Sequence, residues 1–202
     1  MNKETARNEF LMRMYDQMFN DINRHIMVVW QPIIMLGGTI AALILQGKNI
    51  LPISISTTMI ILVVAWVIAH VYDSSFWYNR NLAIISNIEK QFLHKDDVSE
   101  ICFYFASHRR NNKMISHLRI QYYLAVGIGI MAVIYQLFID LTNGCRNYLF
   151  ILPILVLIIV CCMLYSFKKG KDKRYDEFIK MSPGKTIKSE SSNNTVGHSG
   201  SG

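Results

Sequence analysis

Histidine is the side chain of this sequence best suited to holding a metal ion, and its spacing decides whether such a site is expected. A helical metal site needs two ligands on one face, as in an H-x-x-x-H motif with acidic support. The histidines concerned are His25, His70, His94, His108 and His117. None of them forms such a pair, since His108 and His117 are nine positions apart and arginines follow His108. We therefore expect no bound metal and no cofactor.

Nucleophilic catalysis requires a Ser or Cys close to a base, and a phosphate loop requires a glycine-rich motif. The sequence has no nucleophile elbow, no readable Cys/His pairing, no P-loop and no dinucleotide-binding fingerprint. The adjacent Cys161 and Cys162 lie in an apolar stretch and are interpreted as apolar filler. An enzyme embedded in lipid would be expected to carry acids or histidines within such stretches, and these stretches contain none apart from His70, near an expected cytoplasmic end. We predict that the protein is not an enzyme.

The elements that would position any site are apolar helices. Four stretches of about twenty residues contain no Asp, Glu, Lys or Arg, namely residues 27–46, 53–72, 120–139 and 148–167. A helix of that length crosses about 30 Å of hydrocarbon. Only 17% of the residues are charged, below the roughly 25% of a soluble domain. The sequence predicts an all-α integral membrane protein with four transmembrane helices.

Short connections pair these helices into two hairpins. Gly47 and Pro52 delimit the first connection, and residues 141–147 form the second. The insert between the hairpins continues the second span as a helix up to about residue 95. A capping box at Asp97 and Glu100 then starts a returning helix. We predict a cytoplasmic helical hairpin that extends spans 2 and 3.

The basic residues indicate the orientation in the membrane. Four precede residue 27, seven lie in residues 73–119 and eight follow residue 167, whereas the connections carry only Lys48 and Arg146. The positive-inside rule places both termini and the insert in the cytoplasm. The same residues favour anionic lipid head groups, and direct binding of nucleic acid is not expected.

Charge and periodicity divide the chain into segments. The amphipathic N-terminal helix either lies on the inner membrane surface or packs on the cytoplasmic helices. Tyr175, Phe178 and Ile179 are expected to form a short amphipathic turn, with disorder from Ser182 onward. The segments are 1–26 (cytoplasmic amphipathic helix), 27–72 (first transmembrane hairpin), 73–119 (cytoplasmic helical insert), 120–167 (second transmembrane hairpin) and 168–202 (basic, then disordered cytoplasmic tail). Residues 197–202 resemble a vector-derived linker.

Polar and small residues interrupt the apolar stretches. The polar ones are Gln31, Thr39, Thr57, Thr58, Gln121, Gln136 and Asp140. They either line a water-filled pore built from several copies or form hydrogen bonds between helices. The pairs Gly38/Ala42 and Ala125/Gly129 have the small-xxx-small spacing of close helix packing, within one chain or between copies.

The insert carries the densest group of aromatic and charged residues. The candidate partner or regulatory surface consists of Trp77, Tyr78, Arg80, Glu89, Arg109, Arg110 and Lys113. Its residues are either structural or form a docking surface for a cytosolic partner. Residues 109–113 would suit an anionic ligand or a lipid head group. Arg80 and Glu89 are expected to find partners on a facing helix, with Glu100 and Arg109 as candidates.

The architecture over residues 5–170 resembles the small membrane effectors and sensors of bacterial conflict systems. It is similar to SLATT-type proteins and to the four-span membrane subunit of Kiwa-type anti-phage systems. The resemblance implies an oligomer that perturbs or monitors the inner membrane during phage infection. We therefore expect a homo-oligomeric antiviral effector or pore controlled through its cytoplasmic helices. The alternative is a non-catalytic sensor or scaffold that recruits a cytosolic partner protein.

Overall fold

The computed structural model describes residues 2–29, 31–48, 50–93, 97, 111–142 and 148–182. Within them the regular elements are all helical, which confirms the predicted all-α class for this part of the chain. The helices are α1 (Lys3–Val29), α2 (Gln31–Gly47), α3 (Ile53–Phe92), α4 (Ser116–Thr142) and α5 (Ile151–Met181), with a 3-10 turn (Tyr148–Phe150) leading into α5.

Within the described ranges, three helical segments are long and apolar enough to cross a membrane. They are Ile53–Phe92, Ser116–Thr142 and Tyr148–Met181. This combination of length and composition indicates a membrane protein. In α2 the described apolar part is shorter and comprises Gly37–Gly47.

Helix α3 is the centre of the fold. It contains 40 residues and packs against α1, α2, α4 and α5. Neither Gly nor Pro interrupts its sequence, so a single helix of about 60 Å passes from the charge-free run 53–72 into the polar residues 73–92. We call residues 73–92 the α3 extension and residues 168–181 the α5 extension.

The apolar half of the molecule is held by small residues on α2 and α4 that lie against branched residues of α3. Ala125 is completely buried and Ala42 is nearly so. A Cβ atom placed on Gly129 would lie 3.3 Å from Cγ1 of Val64. The α4 backbone therefore approaches α3 closely at this level, as small-residue spacing allows in lipid. At Gly38 an added Cβ would meet no described atom within 4 Å.

Helix α1 runs antiparallel along the α3 extension. Ile22 packs against Leu82 and Ile85, and the Tyr15 hydroxyl donates to Glu89 Oε1 at 3.4 Å. Of the two arrangements expected for the N-terminal helix, the structure has the one in which it packs on a helix of the insert. Ile22 is buried by this packing and Tyr15, Met18 and Phe19 are half-buried, whereas Phe10 near the start of α1 is 65% exposed.

The α5 extension runs parallel to the α3 extension. Lys171 pairs with Asp73, and the Asn87 side-chain amide donates to Ser182 Oγ at 2.7 Å. The expected short turn around Tyr175 is instead part of an unbroken helix that ends at Met181. Tyr175 is fully buried there, so packing on α3 stabilises a helix that the basic sequence alone does not mark.

The returning arm of the predicted hairpin falls largely on residues 98–110, which lie outside the described residues. Asp97 is helical, residues 111–115 have no regular structure, and α4 begins at Ser116. Residues 183–202, which include the expected disordered tail and linker, also lie outside the described part.

Candidate functional site

A network of polar side chains joins the α3 extension to its neighbours. Asn79 is fully buried. The two N–H groups of its Nδ2 donate to Asn112 Oδ1 and to the Lys113 carbonyl, each at 3.0 Å, and Ser75 Oγ lies 3.4 Å from the same nitrogen. One helical amide thus holds the non-helical residues 111–115 against α3.

Asp172 sets the direction of this network. Asn112 Nδ2 donates to Asp172 Oδ1 at 3.0 Å, and a carboxylate only accepts. The Asn112 oxygen must then face Asn79, which in turn presents its own amide nitrogen. Lys168 holds the other oxygen of Asp172 at 2.9 Å. The chain of hydrogen bonds runs from α5 through residue 112 to α3, and each step fixes the next.

Lys171 anchors the start of the α5 extension. Its ammonium pairs with Asp73. The same ammonium lies 5.1 Å from the centre of the Phe76 ring and 5.3 Å from that of Phe167, within cation–π range. The Lys171 side chain is only 14% exposed, whereas the Asp73 side chain is 39% exposed, so only the lysine end of the pair is shielded from solvent.

A cleft of about 240 Å³ opens beside this network. Its lining comes from α3, the 111–115 segment, α4 and α5, and comprises Tyr72, Ser75, Asn112, Lys113, Met114, Arg119, Lys168, Lys171 and Asp172. We call it the basic cleft, because four of these residues are cationic and one is anionic. The arrangement offers nitrogen donors and positive charge to an anion.

The aromatic part of the predicted partner surface lies on the α3 extension. Arg80 stacks over Trp77 at 5.3 Å and over Phe178 of α5 at 5.8 Å. Trp77 keeps 38% of its surface exposed, and Tyr78 packs on α1 and edge-on to His117. Arg80 therefore joins two helices and supports Trp77, which remains accessible.

Glu89 faces α1, where the Tyr15 hydroxyl donates to it, whereas the predicted partners belonged to the returning helix of the insert. Glu100, Arg109 and Arg110 lie outside the described residues. Burial raises the pKa of Glu89 above its ordinary range, although the Tyr15 hydrogen bond and Lys90 act in the opposite direction. Oxygen Oε2 of Glu89 is buried and has no hydrogen-bond donor among the described residues. The ionised form is therefore penalised at the α1–α3 contact.

Most polar residues of the apolar stretches point into helix contacts. Thr39, Thr57, Gln121 and Gln136 are all buried within the chain. Thr58 is half-buried and donates to its own helix, Asp140 is half-buried, and Gln31 is exposed.

Gln136 lies opposite Ser54, and its Nε2 donates to Ser54 Oγ at 3.4 Å. A cavity of about 20 Å³ nearby is lined by Thr57, Gln136 and Asp140 together with apolar residues. That volume suffices for a single water molecule. Oxygens of Gln136 and Asp140 are buried there without a partner in the described part of the chain.

An apolar groove of about 780 Å³ separates α2 from α4. Ile40 and Leu43 line one side, and Leu124 and Met131 line the other. All four are exposed within the single chain. Both helices pack on α3 and leave this space between them.

Of the residues at the heart of the network, only Asn112 lies in a predicted site, the segment 109–113 expected to suit an anionic ligand. Only Lys113 of the basic cleft belongs to the predicted surface, whereas Asn79, Asn112, Lys171 and Asp172 come from segments far apart in sequence. Asn79, two residues after Trp77, was the signal in the sequence that could have indicated this network. An amide on a packed helix face needs hydrogen-bond partners. Of the described residues, no three His, Cys, Asp or Glu converge as metal ligands would.

Comparison of the chain with protein-family models, with curated protein sequences and with solved structures finds no match.

Proposed function

We propose that the protein is a non-catalytic inner-membrane sensor or scaffold, in which α3 connects a cytoplasmic helix bundle to the membrane spans. The unbroken 40-residue α3 carries this proposal. The α3 extension packs with α1 and the α5 extension. The charge-free part of α3, residues 53–72, packs with α2 and α4. A partner that displaces the bundle therefore acts on the spans through one rigid element.

The proposed topology has four spans, with both termini in the cytoplasm. In this topology the first span is the charge-free run 27–46, which contains most of α2. Both α1 and the α5 extension pack on the α3 extension, which supports this orientation because the three basic segments are gathered at one end of the molecule.

Cysteine labelling tests the topology. In a variant without the native cysteines, Lys48→Cys should react with an impermeant maleimide from outside the cell, and Lys173→Cys only after lysis. Labelling of both positions from outside would refute the orientation.

The partner is proposed to dock at Trp77, the exposed aromatic residue that Arg80 supports. A photoreactive phenylalanine analogue replacing Trp77 should capture a discrete cytosolic protein in cells. The same analogue replacing Trp66 provides the control, because Trp66 is 45% exposed but lies in the apolar half. Identical adduct patterns at the two positions would reject the docking surface.

A role in bacterial anti-phage defence follows from the resemblance in architecture. We expect cells that express the chain to reduce phage plaque numbers, and Trp77→Ala to abolish this protection without changing the amount of membrane-inserted protein. If the wild type and Trp77→Ala protect cells equally, defence does not depend on docking at Trp77. Absence of protection by the wild type would reject the defence role.

The second candidate function is an oligomeric effector that opens a path for ions. The observation that favours it is the set of buried polar oxygens in the apolar half that lack partners among the described residues, on Ser56, Gln121, Gln136 and Asp140. Such groups are costly when dry and are stabilised when helices separate and water enters. Four helices enclose no channel alone, so several copies are required.

Flux from liposomes tests this candidate. Gln136→Leu should suppress dye or ion release, since it removes a polar group from the proposed path. The exposed Met131 on the same helix offers a control through Met131→Leu. Absence of release under every activating condition would reject the pore.

A further inference from the structure

We propose that the basic cleft is a binding site for a phosphate group, and that the bound phosphate regulates how α4 and α5 sit on α3. This inference rests on the proposed topology, which puts the cleft at the cytoplasmic membrane surface, but it does not require partner recruitment at Trp77.

Charge and available donors support a phosphate. Four cations from three segments converge on the cleft, against the carboxylates of Asp172 and neighbouring Asp73. Lys113 is exposed and has no ion-pair partner among the described residues. Arg119 is exposed and donates from Nη2 to the Met114 carbonyl at 3.3 Å, which leaves other guanidinium N–H groups available.

The remaining cations have different tasks. Lys171 is engaged by Asp73 and two aromatic rings, so it contributes fixed positive charge. Lys168 is half exposed and shares Asp172, from which it can turn toward an incoming phosphate. The first turn of α4 begins in the same place and adds the positive end of a helix dipole.

The position of the cleft matches that of lipid phosphates. Tyr72 is the last residue of one charge-free run, Arg119 immediately precedes the next, and Lys168 immediately follows another. All three line the cleft, so three membrane-length runs end at one level around it. That level is the boundary between hydrocarbon and water, where phosphate head groups lie.

The size of the cleft restricts the ligand. A volume of about 240 Å³ is below the roughly 300–1,000 Å³ of pockets for drug-sized molecules. The space therefore suits a phosphate with a small alcohol attached, as in a phospholipid head group, or the phosphate end of a soluble compound whose remainder extends outside.

Binding would have a structural consequence. Helices α4 and α5 both pack extensively on α3 but hardly on each other within the described residues. A phosphate held by Arg119 of α4 and Lys168 of α5 bridges them, and through Asp172 and Asn112 it reaches the buried amide of Asn79. Occupancy thus stabilises one arrangement of the two helices relative to α3.

The test measures thermal stabilisation of the full chain in neutral detergent. The lipid arm adds phosphatidylglycerol or phosphatidic acid, with phosphatidylcholine at the same concentration as reference. The soluble arm adds inorganic phosphate or ATP. We expect stabilisation by the anionic lipids, and about a fivefold increase in the apparent Kd for each cation removed, in Lys113→Gln and Arg119→Gln.

Matched variants separate a site from general attraction. Lys173→Gln removes a charge from the exposed side of α5, outside the cleft, and should leave the apparent Kd unchanged. Arg119→Lys should recover part of the affinity. If Arg119→Gln fails to fold, Lys113→Gln in the non-helical segment still reports on the cleft.

Each outcome is informative. Cleft-dependent stabilisation by anionic lipids supports a lipid head group, and cleft-dependent stabilisation by ATP or phosphate supports a soluble source of the same chemistry. Equal losses in Lys113→Gln and Lys173→Gln, or no stabilisation in either arm, would overturn the proposal. Trp77→Ala should bind the anionic lipid like wild type, so failure of the partner proposal remains distinguishable.

Discussion

Truncation of the buried amide in Asn79→Ala tests whether the polar network holds the fold together. The change removes the donor of two 3.0 Å hydrogen bonds and leaves the Asn112 oxygen and the Lys113 carbonyl without it. Each lost hydrogen bond costs about 1 kcal/mol, and each acceptor left dry adds to that. The truncation also removes Oδ1, which is buried without a donor in the described part of the chain, and this offsets part of the cost.

We therefore expect Asn79→Ala to lower the free energy of unfolding by about 2–3 kcal/mol, or about 30- to 150-fold in the unfolding equilibrium. The assay is reversible unfolding in mixed detergent micelles, followed by circular dichroism. Hydrogen exchange should accelerate most in residues 111–118, because Asn79 holds that segment against α3.

Asn87→Ala is the matched control on the same helix. It removes one hydrogen bond, to Ser182 at the end of α5, from a half-buried position. Its expected cost is about 0.5–1.5 kcal/mol. A cost for Asn79→Ala within about 0.5 kcal/mol of the control, with unchanged exchange in residues 111–118, would refute the reasoning.

Three further predictions follow from burial and close packing. Because the pKa of Glu89 is raised on folding, its contribution to stability should fall as pH rises from its ordinary value of 4.5. Glu89→Gln should therefore flatten the pH dependence of hydrogen-exchange protection in α1 between pH 5 and 8. An unchanged pH dependence, or the same flattening in the exposed control Glu177→Gln, would contradict this. Gly129→Leu should lower the free energy of unfolding by about 1–3 kcal/mol in the micelle assay. Gly127→Leu should not, because a Cβ atom added at Gly127 meets no described atom within 4 Å. Equal effects of the two substitutions would refute the close contact at Gly129. Tyr175→Ala should cost about 3–5 kcal/mol and expose the α5 extension to protease, and a resistant extension would show that the buried ring does not hold it.

The apolar half of the fold was readable from sequence because its signal is local. Charge-free length predicts a membrane helix without knowledge of what it touches. Ala125 and Gly129 were recognisable for the same reason, since their spacing implies close approach on any partner. Their partner, Val64 of α3, is a tertiary contact, and the spacing does not identify it.

The polar half was less predictable because packing decides it. Residues 168–174 are rich in Lys, which suggests a solvated tail, yet Tyr175 and Lys171 dock on α3 and keep the segment helical. The basic cleft likewise combines residue 72, residues 112–119 and residues 168–172. The only indication in the sequence that these segments meet is that each lies at the end of a charge-free run. The network through Asn79 depends on side-chain directions, which no local pattern specifies.

The continuity of α3 fixes the rotational phase of one half of the molecule against the other. Each residue of an α-helix turns the chain by about 100°. A single-residue insertion near Tyr72 would therefore leave both halves helical, yet swing the surface that receives α1 and α5 well away from them. A seven-residue insertion, close to two full turns, would restore the phase and lengthen the rod by about 10 Å. At this junction, the tolerance of an insertion therefore depends on how close its length is to a whole number of helical turns, and not on its residue types alone.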